Sequence, residues 1–366
     1  MQALILVGGE GTRLRPLTST IPKPVVTLVD RPFMAYMLEW LKSHGIDEVV
    51  FSLGFLPDGV RDVLGDGSHY GLKLHYVEEP EPLGTGGALK YAEDLLYDRF
   101  AMLNGDVLTD IDLSAQIAQH ERTGARGTLA LVPVEDPTAY GLVRLHSDDS
   151  VKGFLEKPSP EEIDTDLISA GAYVLERDVL DLLVKGENAS IERDVFPKLV
   201  GEGLYGYRGS GYWMDIGTPQ RYLQGTWDIL ERNVATAAGA SLDDSFLRVD
   251  DGVVAAGRIV PPALVAEGCE IADGARVGAL AVLGRDVKVS AGATVEQAVV
   301  LDGARIGEGA FVHDAIIGPG AVIGAHTRVE RGAVIGDGVT LGESNVLSNG
   351  ARVFPGVSIP DHGILF

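Results

Sequence analysis

The chain has 366 residues, a formal net charge of −23 and a single cysteine. The length accommodates two domains with a sizeable core, and the charge argues against a nucleic-acid polymer or an anionic membrane as partner. One cysteine, Cys269, excludes an intrachain disulfide and a thiol-zinc cluster.

The apolar run at residues 3–7 predicts a buried first strand. It ends in Gly8, Gly9, Glu10, Gly11, Thr12 and Arg13, and Pro22-Lys23-Pro24 follows. Glycines at a strand end expose backbone N–H groups with no Cβ in the way, a geometry that cradles a phosphate chain. Arg13 and Lys23 place two cations within reach of it. The dinucleotide fingerprint fails, because Leu14 stands where its third glycine belongs, and no Gly-Lys-Ser/Thr makes a Walker loop.

Pro32 then opens a predicted helix with Phe33, Met37, Leu38 and Leu41 on one face. Strand-like runs follow at 49–53, 100–103, 128–134 and 172–175. This alternation predicts an α/β sheet with ligands at the strand ends. Thr218-Pro219 predicts a capped helix that buries Tyr222, Leu223, Trp227 and Leu230. A catalytic domain over 1–235 and a linker over 236–250 are expected.

Past residue 250 the rhythm changes. Aliphatic residues fall six apart from Ile259 through Val265, Ile271 and Val277 to Leu301. After a slip through Ile306 and Val312 the series resumes at Ile317 and runs to Ile359. A period of six suits neither a helix nor an antiparallel hairpin. It predicts a parallel β-helix over 251–366, three hexads to a coil, with the aliphatic residues stacked inside.

The glycine loop with its Thr-Arg and the Pro-Lys-Pro resembles the signature of the nucleoside-diphosphate-sugar pyrophosphorylases, the sugar-1-phosphate nucleotidyltransferases. Further segments match: Glu79-Pro80 with Leu83-Gly84-Thr85-Gly86-Gly87, Leu103-Asn104-Gly105-Asp106, Tyr140-Gly141, Glu156-Lys157-Pro158, Ser169-Ala170-Gly171 and Trp213-Met214-Asp215-Ile216-Gly217-Thr218. Serine at 169 replaces the usual asparagine. The resemblance implies a Rossmann-like nucleotidyltransferase domain with a mixed, mostly parallel sheet, followed by a left-handed β-helix. It also implies that Gly8, Gly9, Gly11, Thr12, Glu79 and Gly84 bind the nucleotide. Tyr140, Gly141, Glu156, Lys157, Ser169 and Gly171 would bind the sugar phosphate, and Asp106 and Asp215 a Mg²⁺ ion. Short catalytic half, hexapeptide tail and the Ile191-Glu192-Arg193-Asp194-Val195-Phe196-Pro197 run are most similar to members that transfer guanylyl to mannose-1-phosphate.

The implied reaction asks for such residues. A sugar phosphate oxygen is already ionised, so no general base is needed. The obstacle is bringing two polyanions together and stabilising charge on the α-phosphoryl group. Arg13 is assigned to the transition state and leaving pyrophosphate, Lys23 to the triphosphate and incoming phosphate, and Lys157 to the sugar phosphate. Magnesium, a hard cation, takes one or two carboxylates plus phosphate oxygens. Direct in-line displacement is expected.

Glu79 bears on the base. A carboxylate only accepts hydrogen bonds, which suits the adjacent N1–H and N2–H₂ of guanine and opposes a uracil or thymine carbonyl. Glucose-1-phosphate transfer with UTP, dTTP or ATP is the alternative. A non-catalytic nucleotide-sugar-binding regulatory subunit would lose a phosphate cation or metal acid, and Arg13, Lys23, Asp106 and Asp215 are all present. An acyltransferase in the β-helix would need a long inserted loop that the six-residue rhythm does not leave. No N-terminal run has a signal-peptide pattern and no apolar run would span a bilayer, so a cytoplasmic homo-oligomer assembled through the β-helix is expected.

Overall fold

The computed structural model describes residues 1–137, 140–156 and 159–365. The chain forms two compact units that interleave along the sequence. One comprises residues 1–10 and 34–213, the other residues 11–33 and 214–366.

The first unit is built on a nine-stranded sheet. Its strands are β1 (Gln2–Val7), β2 (Glu48–Leu53), β3 (Lys73–Glu78), β4 (Arg99–Asn104), β5 (Gly127–Pro133), β6 (Gly141–Leu145), β7 (Val151–Glu156), β8 (Leu167–Glu176) and β9 (Leu204–Arg208). The order β7-β6-β8-β4-β1-β2-β3 places β1 centrally, with β5 joining β8 and β9 to one side. Pairs β4-β1, β1-β2 and β2-β3 are parallel, whereas β8 runs antiparallel to β4 and β5. The sheet is therefore mixed, as expected. Ala3, Leu4, Ile5, Val49, Val50 and Phe51 are wholly buried, which is why these strands read as continuous apolar runs.

Helices α1 (Phe33–Ser43), α2 (Pro57–Leu64), α3 (Gly84–Tyr91) and α4 (Leu113–Thr123) connect or flank these strands. The first begins one residue later than the sequence predicts, because Pro32 pairs in a two-residue strand with Thr27.

The second unit is a stack of short parallel strands from Leu247 onward. Arg276 pairs with Thr294, which pairs with Phe311, then Arg328. Beside them Val277, Val295, Val312 and Val329 form a wholly buried column. Each such valine contributes about 1.5–3 kcal/mol of burial. Lys288 reaches Glu270 across 18 residues, while Arg285 reaches Asp302 across 17. Leu283 pairs with Val300 and Val300 with Ile317, each 17 residues on, so the slip seen in the sequence through Ile306 and Val312 is two successive coils each one residue short. Helix α5 (Pro219–Leu230) is capped by Thr218, whose side chain accepts the Arg221 N–H. It packs on the strands Thr294–Val300, Phe311–Ile317 and Arg328–Ile335. Tyr222, Leu223 and Leu230 are buried as predicted; Trp227 is half-buried. Cys269 lies in the core, and burial pushes its thiol up to about 11. His326 is exposed, whereas His313 is half-buried and stacks on Phe311.

Candidate active site

In the first unit the end of β1 meets the end of β2. A Cβ on Gly54 would lie 2.7 Å from the Gly8 carbonyl oxygen, so the two segments touch backbone to backbone. A Cβ on Gly8 would stand 3.5 Å from Glu79 Oε1. Around Gly9 the opposite holds: nothing lies within 4 Å of the Cβ position, and Gly9 is exposed. Packing does not demand glycine there, and the backbone lies open to close approach.

Glu79 follows β3 and is held at both oxygens. Ser52 Oγ donates to Oε1 at 2.9 Å, and the Leu83 N–H donates to Oε2 at 3.1 Å. Leu83 opens the glycine run at the start of α3. There Gly84 has φ +70, and a Cβ would lie 2.6 Å from the Ala189 carbonyl oxygen. The same carbonyl accepts the Gly86 N–H at 2.8 Å. The glycines of this loop are thus required by the segment 187–192 lying against them.

Asp106 follows β4 and is half-buried. The preceding Gly105 donates to the Leu6 carbonyl at 3.0 Å, tying the acid to the end of β1. Nearby, Gly171 has φ +72 and packs against Asn104, where a Cβ would lie 2.7 Å from Nδ2. Trp213 Nε1 donates to the Ala170 carbonyl at 2.8 Å, and its ring meets Tyr140 edge-on at 6.0 Å. Tyr140, Trp213 and the 169–171 segment therefore form one cluster. Gly141 begins β6 and pairs with Glu156 at the end of β7. Lys157 lies outside the described residues.

The second unit carries the cationic loop. Gly11 adopts φ +62, and a Cβ there would stand 3.1 Å from Lys23 Cβ and 3.2 Å from Thr18 Cγ2. Thr18 Oγ1 donates to the Gly11 carbonyl at 2.8 Å, closing the loop over a short 3₁₀ turn at Thr12–Leu14. Lys23 begins a second 3₁₀ turn after Pro22. Arg13 and Asp215 come together beside Gly217: a Cβ on that glycine would be 2.8 Å from Arg13 Nη2 and 3.1 Å from Asp215 Oδ2. Asp215 is also ion-paired with Arg221 of α5, a partner that sequence reasoning missed although Arg221 stands three residues beyond the predicted Thr218 cap. Among the described residues no cluster of three or more His, Cys, Asp or Glu would hold a metal unaided. A carboxylate completed by phosphate oxygens is nonetheless the kind of donor set that suits Mg²⁺.

A mixed sheet with a glycine loop after its central strand, an oriented acid at Glu79 and a clustered Arg13–Asp215 pair define a nucleotide-handling transferase fold. Residues 2–232 match the family described as nucleotidyl transferase, and residues 259–362 match the GMPPB C-terminal domain. The chain belongs to the nucleotidyl transferase family, and the pyrophosphorylase resemblance stands. It is 39% identical to the mannose-1-phosphate guanylyltransferase of Mycobacterium tuberculosis, over 81% of this chain and 83% of that protein. It is 35% identical to probable mannose-1-phosphate guanylyltransferase 1 of Oryza sativa subsp. japonica, over 90% of this chain and 89% of that one. Among solved structures, HddC from Yersinia pseudotuberculosis in complex with GMP-PN aligns with a TM-score of 0.53 at 29% identity. That alignment covers 62% of this chain and 97% of HddC.

Proposed function

We propose that the protein transfers the guanylyl group of GTP to mannose-1-phosphate, forming GDP-mannose and releasing pyrophosphate. The observation that carries this reading is the setting of Glu79. Each carboxylate oxygen accepts one internal bond, from Ser52 and from Leu83. A carboxylate has about four lone-pair sites, so each oxygen keeps capacity for one of the two adjacent guanine donors. The names of the relatives point the same way.

In this account the glycine loop N–H groups bind the triphosphate. Arg13 faces the charge that develops on the α-phosphoryl group, and Lys23 binds the triphosphate and incoming phosphate. The cluster of Tyr140, Ser169 and Gly171, with Gly141, Glu156 and Lys157, holds the sugar phosphate. Asp106 and Asp215 would hold Mg²⁺, which when bound neutralises phosphate charge and polarises the phosphoryl group. No residue needs to take a proton, since the attacking phosphate oxygen is already an anion.

Replacing Glu79 with Gln tests the base assignment. The amide offers a donor where guanine also donates, so the GTP:UTP ratio of kcat/KM is expected to fall by at least about tenfold. An unchanged ratio removes Glu79 from base selection.

A further inference from the structure

Helix α4 turns a polar face to the sheet. A helix packed on a sheet normally offers it an apolar stripe. Leu113 does so, but Gln116, Gln119 and His120 are buried beside it, and their spacing puts them on one face. Gln119 Nε2 donates to the Gly206 carbonyl of β9 at 2.8 Å. The His120 ring lies between Thr128 Oγ1 and Glu176 Oε1, at 2.9 and 3.0 Å. These bonds hold the helix to the sheet. Gln116 does something further, because one of its partners adjoins the segment 169–171.

That segment interrupts the sheet. Ser169 pairs with Leu131 of β5 and Tyr173 with Leu129, so residues 170–172 stand opposite Ala130 alone. A bulge of this kind leaves backbone groups outside the ladder and is a common means of aiming side chains at a site. Two side chains take up the carbonyls there. Trp213 Nε1 donates to Ala170 at 2.8 Å. Gln116 Nε2 donates to Ala172 at 3.2 Å and to Thr128 of β5 at 2.9 Å. The Gln116 amide thus spans β5 and β8 beside the interruption, where a backbone rung would stand.

The amide is there for its two N–H groups. Both partners are carbonyls, which only accept, so the nitrogen must face them. Gln116 is 1% exposed, and no donor among the described residues reaches its Oε1. Space alone would be filled at less cost by an apolar side chain. Gln116 also lines a cavity of about 10 Å³ with Asn104, Ala170, Gly171, Ala172 and Trp213. The segment therefore has slack beside it and depends on these hydrogen bonds, more than on close packing, for its place.

We propose that Gln116 is a positioning residue: its amide replaces the missing β5–β8 rung and sets the place of Ser169-Ala170-Gly171 against the sugar phosphate. This rests on the assignment of that segment to the sugar phosphate under the proposed function.

Gln116→Met nearly keeps the volume and removes both donors. Gln119→Met is the control, since it deletes a buried amide bonded to a backbone carbonyl on the same helix face but away from residues 169–171. Both should lower the melting temperature by a few degrees. Michaelis constants and calorimetric dissociation constants are read for GTP and mannose-1-phosphate. In Gln116→Met the sugar phosphate constants should rise about fivefold to tenfold while those for GTP stay within about twofold of wild type. In Gln119→Met both should stay within about twofold. Gln116→Asn, whose amide falls one methylene short, should show the same split and serves if the methionine variant does not fold. The Trp213 indole N–H resonance, identified by its loss in Trp213→Phe, reads the segment without substrate. It should shift in Gln116→Met and hold in Gln119→Met. Unchanged sugar constants, equal loosening of both substrates, the same split in Gln119→Met or an unmoved Trp213 resonance overturns the proposal. A wild-type preference for another nucleotide–sugar pair instead refutes the guanylyl–mannose assignment alone, and the constants of the preferred sugar phosphate then decide the role of Gln116.

Discussion

Asp215 is contested ground. Its carboxylate faces Arg221 of α5, and Arg13 stands beside the intervening Gly217. The Arg221 ion pair orients the carboxylate, and under the proposed function this acid would share a Mg²⁺ ion with phosphate. Asp215→Asn keeps the shape but removes one of the two carboxylate charges proposed to hold Mg²⁺. The Mg²⁺ concentration giving half-maximal rate is expected to rise by about tenfold or more. An unchanged Mg²⁺ dependence would leave Asp215 as no more than an anchor for Arg221. Arg13, Lys23, Glu79, Asp106 and Asp215 stood out in the sequence because they sit in dense motifs. Arg221 did not, because its ion pair with Asp215 depends on how the strand end and helix α5 fold together rather than on any motif.

The cationic loop shows what the C-terminal coils do for the chemistry. Within residues 11–19 the turns use the carbonyls of Gly11, Thr12, Leu14 and Pro16. The carbonyls of Arg13 and Arg15, which those turns do not use, both accept from one guanidinium, Arg352 Nη1. Thr20 donates to Asp337 at 3.3 Å nearby. At the far end of the same segment, Asp30 pairs with Arg31 and with Arg248 at 2.7 Å. The loop that carries Arg13 is thus gripped by the parallel stack at both ends. Arg352 is exposed, so Arg352→Ala should leave the melting temperature nearly unchanged while lowering kcat by about threefold to tenfold, with Arg352→Lys recovering part. A loss of stability in step with activity would mean that the contact only holds the fold together.

Asp30 carries a pH prediction. Burial alone would push its carboxyl up, but hydrogen bonds and charge from Arg31 and Arg248 outweigh that and hold it below its ordinary value. A depressed folded pKa means that the stabilisation is present above the unfolded value, about 3.9, and is lost as pH falls through the folded value. Thermal melts between about pH 7 and pH 3 should show stability falling in acid. Asp30→Asn should cost about 3 kcal/mol at neutral pH and flatten the acid slope; an equally steep slope in the variant would place the acid sensitivity elsewhere.

At the scale of the molecule, periodicity carried most of the fold. The six-residue rhythm predicted stacked coils, and the ladders from Leu247 onward are parallel throughout. Apolar runs marked β1, β2, β4, β5 and β8 because the sheet interior buries them. What pattern could not show is that residues 11–33 belong with residues 214–366, since a short loop has no periodicity and its allegiance is set by Tyr222 Oη on the Thr27 carbonyl, by Arg248 and by Arg352. No helix of the described residues is long and apolar enough to cross a membrane. Phe354, Val357 and Leu365 are exposed in the last coils, where the expected assembly through the C-terminal domain would cover apolar surface. Light scattering after size exclusion should give a multiple of the monomer mass; a monomer at all concentrations would contradict that expectation.

The central claim is tested by pyrophosphate release with Mg²⁺ across a grid of nucleoside triphosphates and sugar-1-phosphates. The account predicts one clear maximum, at GTP with mannose-1-phosphate. A maximum at UTP or dTTP with glucose-1-phosphate would contradict the Glu79 argument and the proposed substrate pair, and no release with any pair would contradict the catalytic roles given to Arg13, Lys23, Asp106 and Asp215.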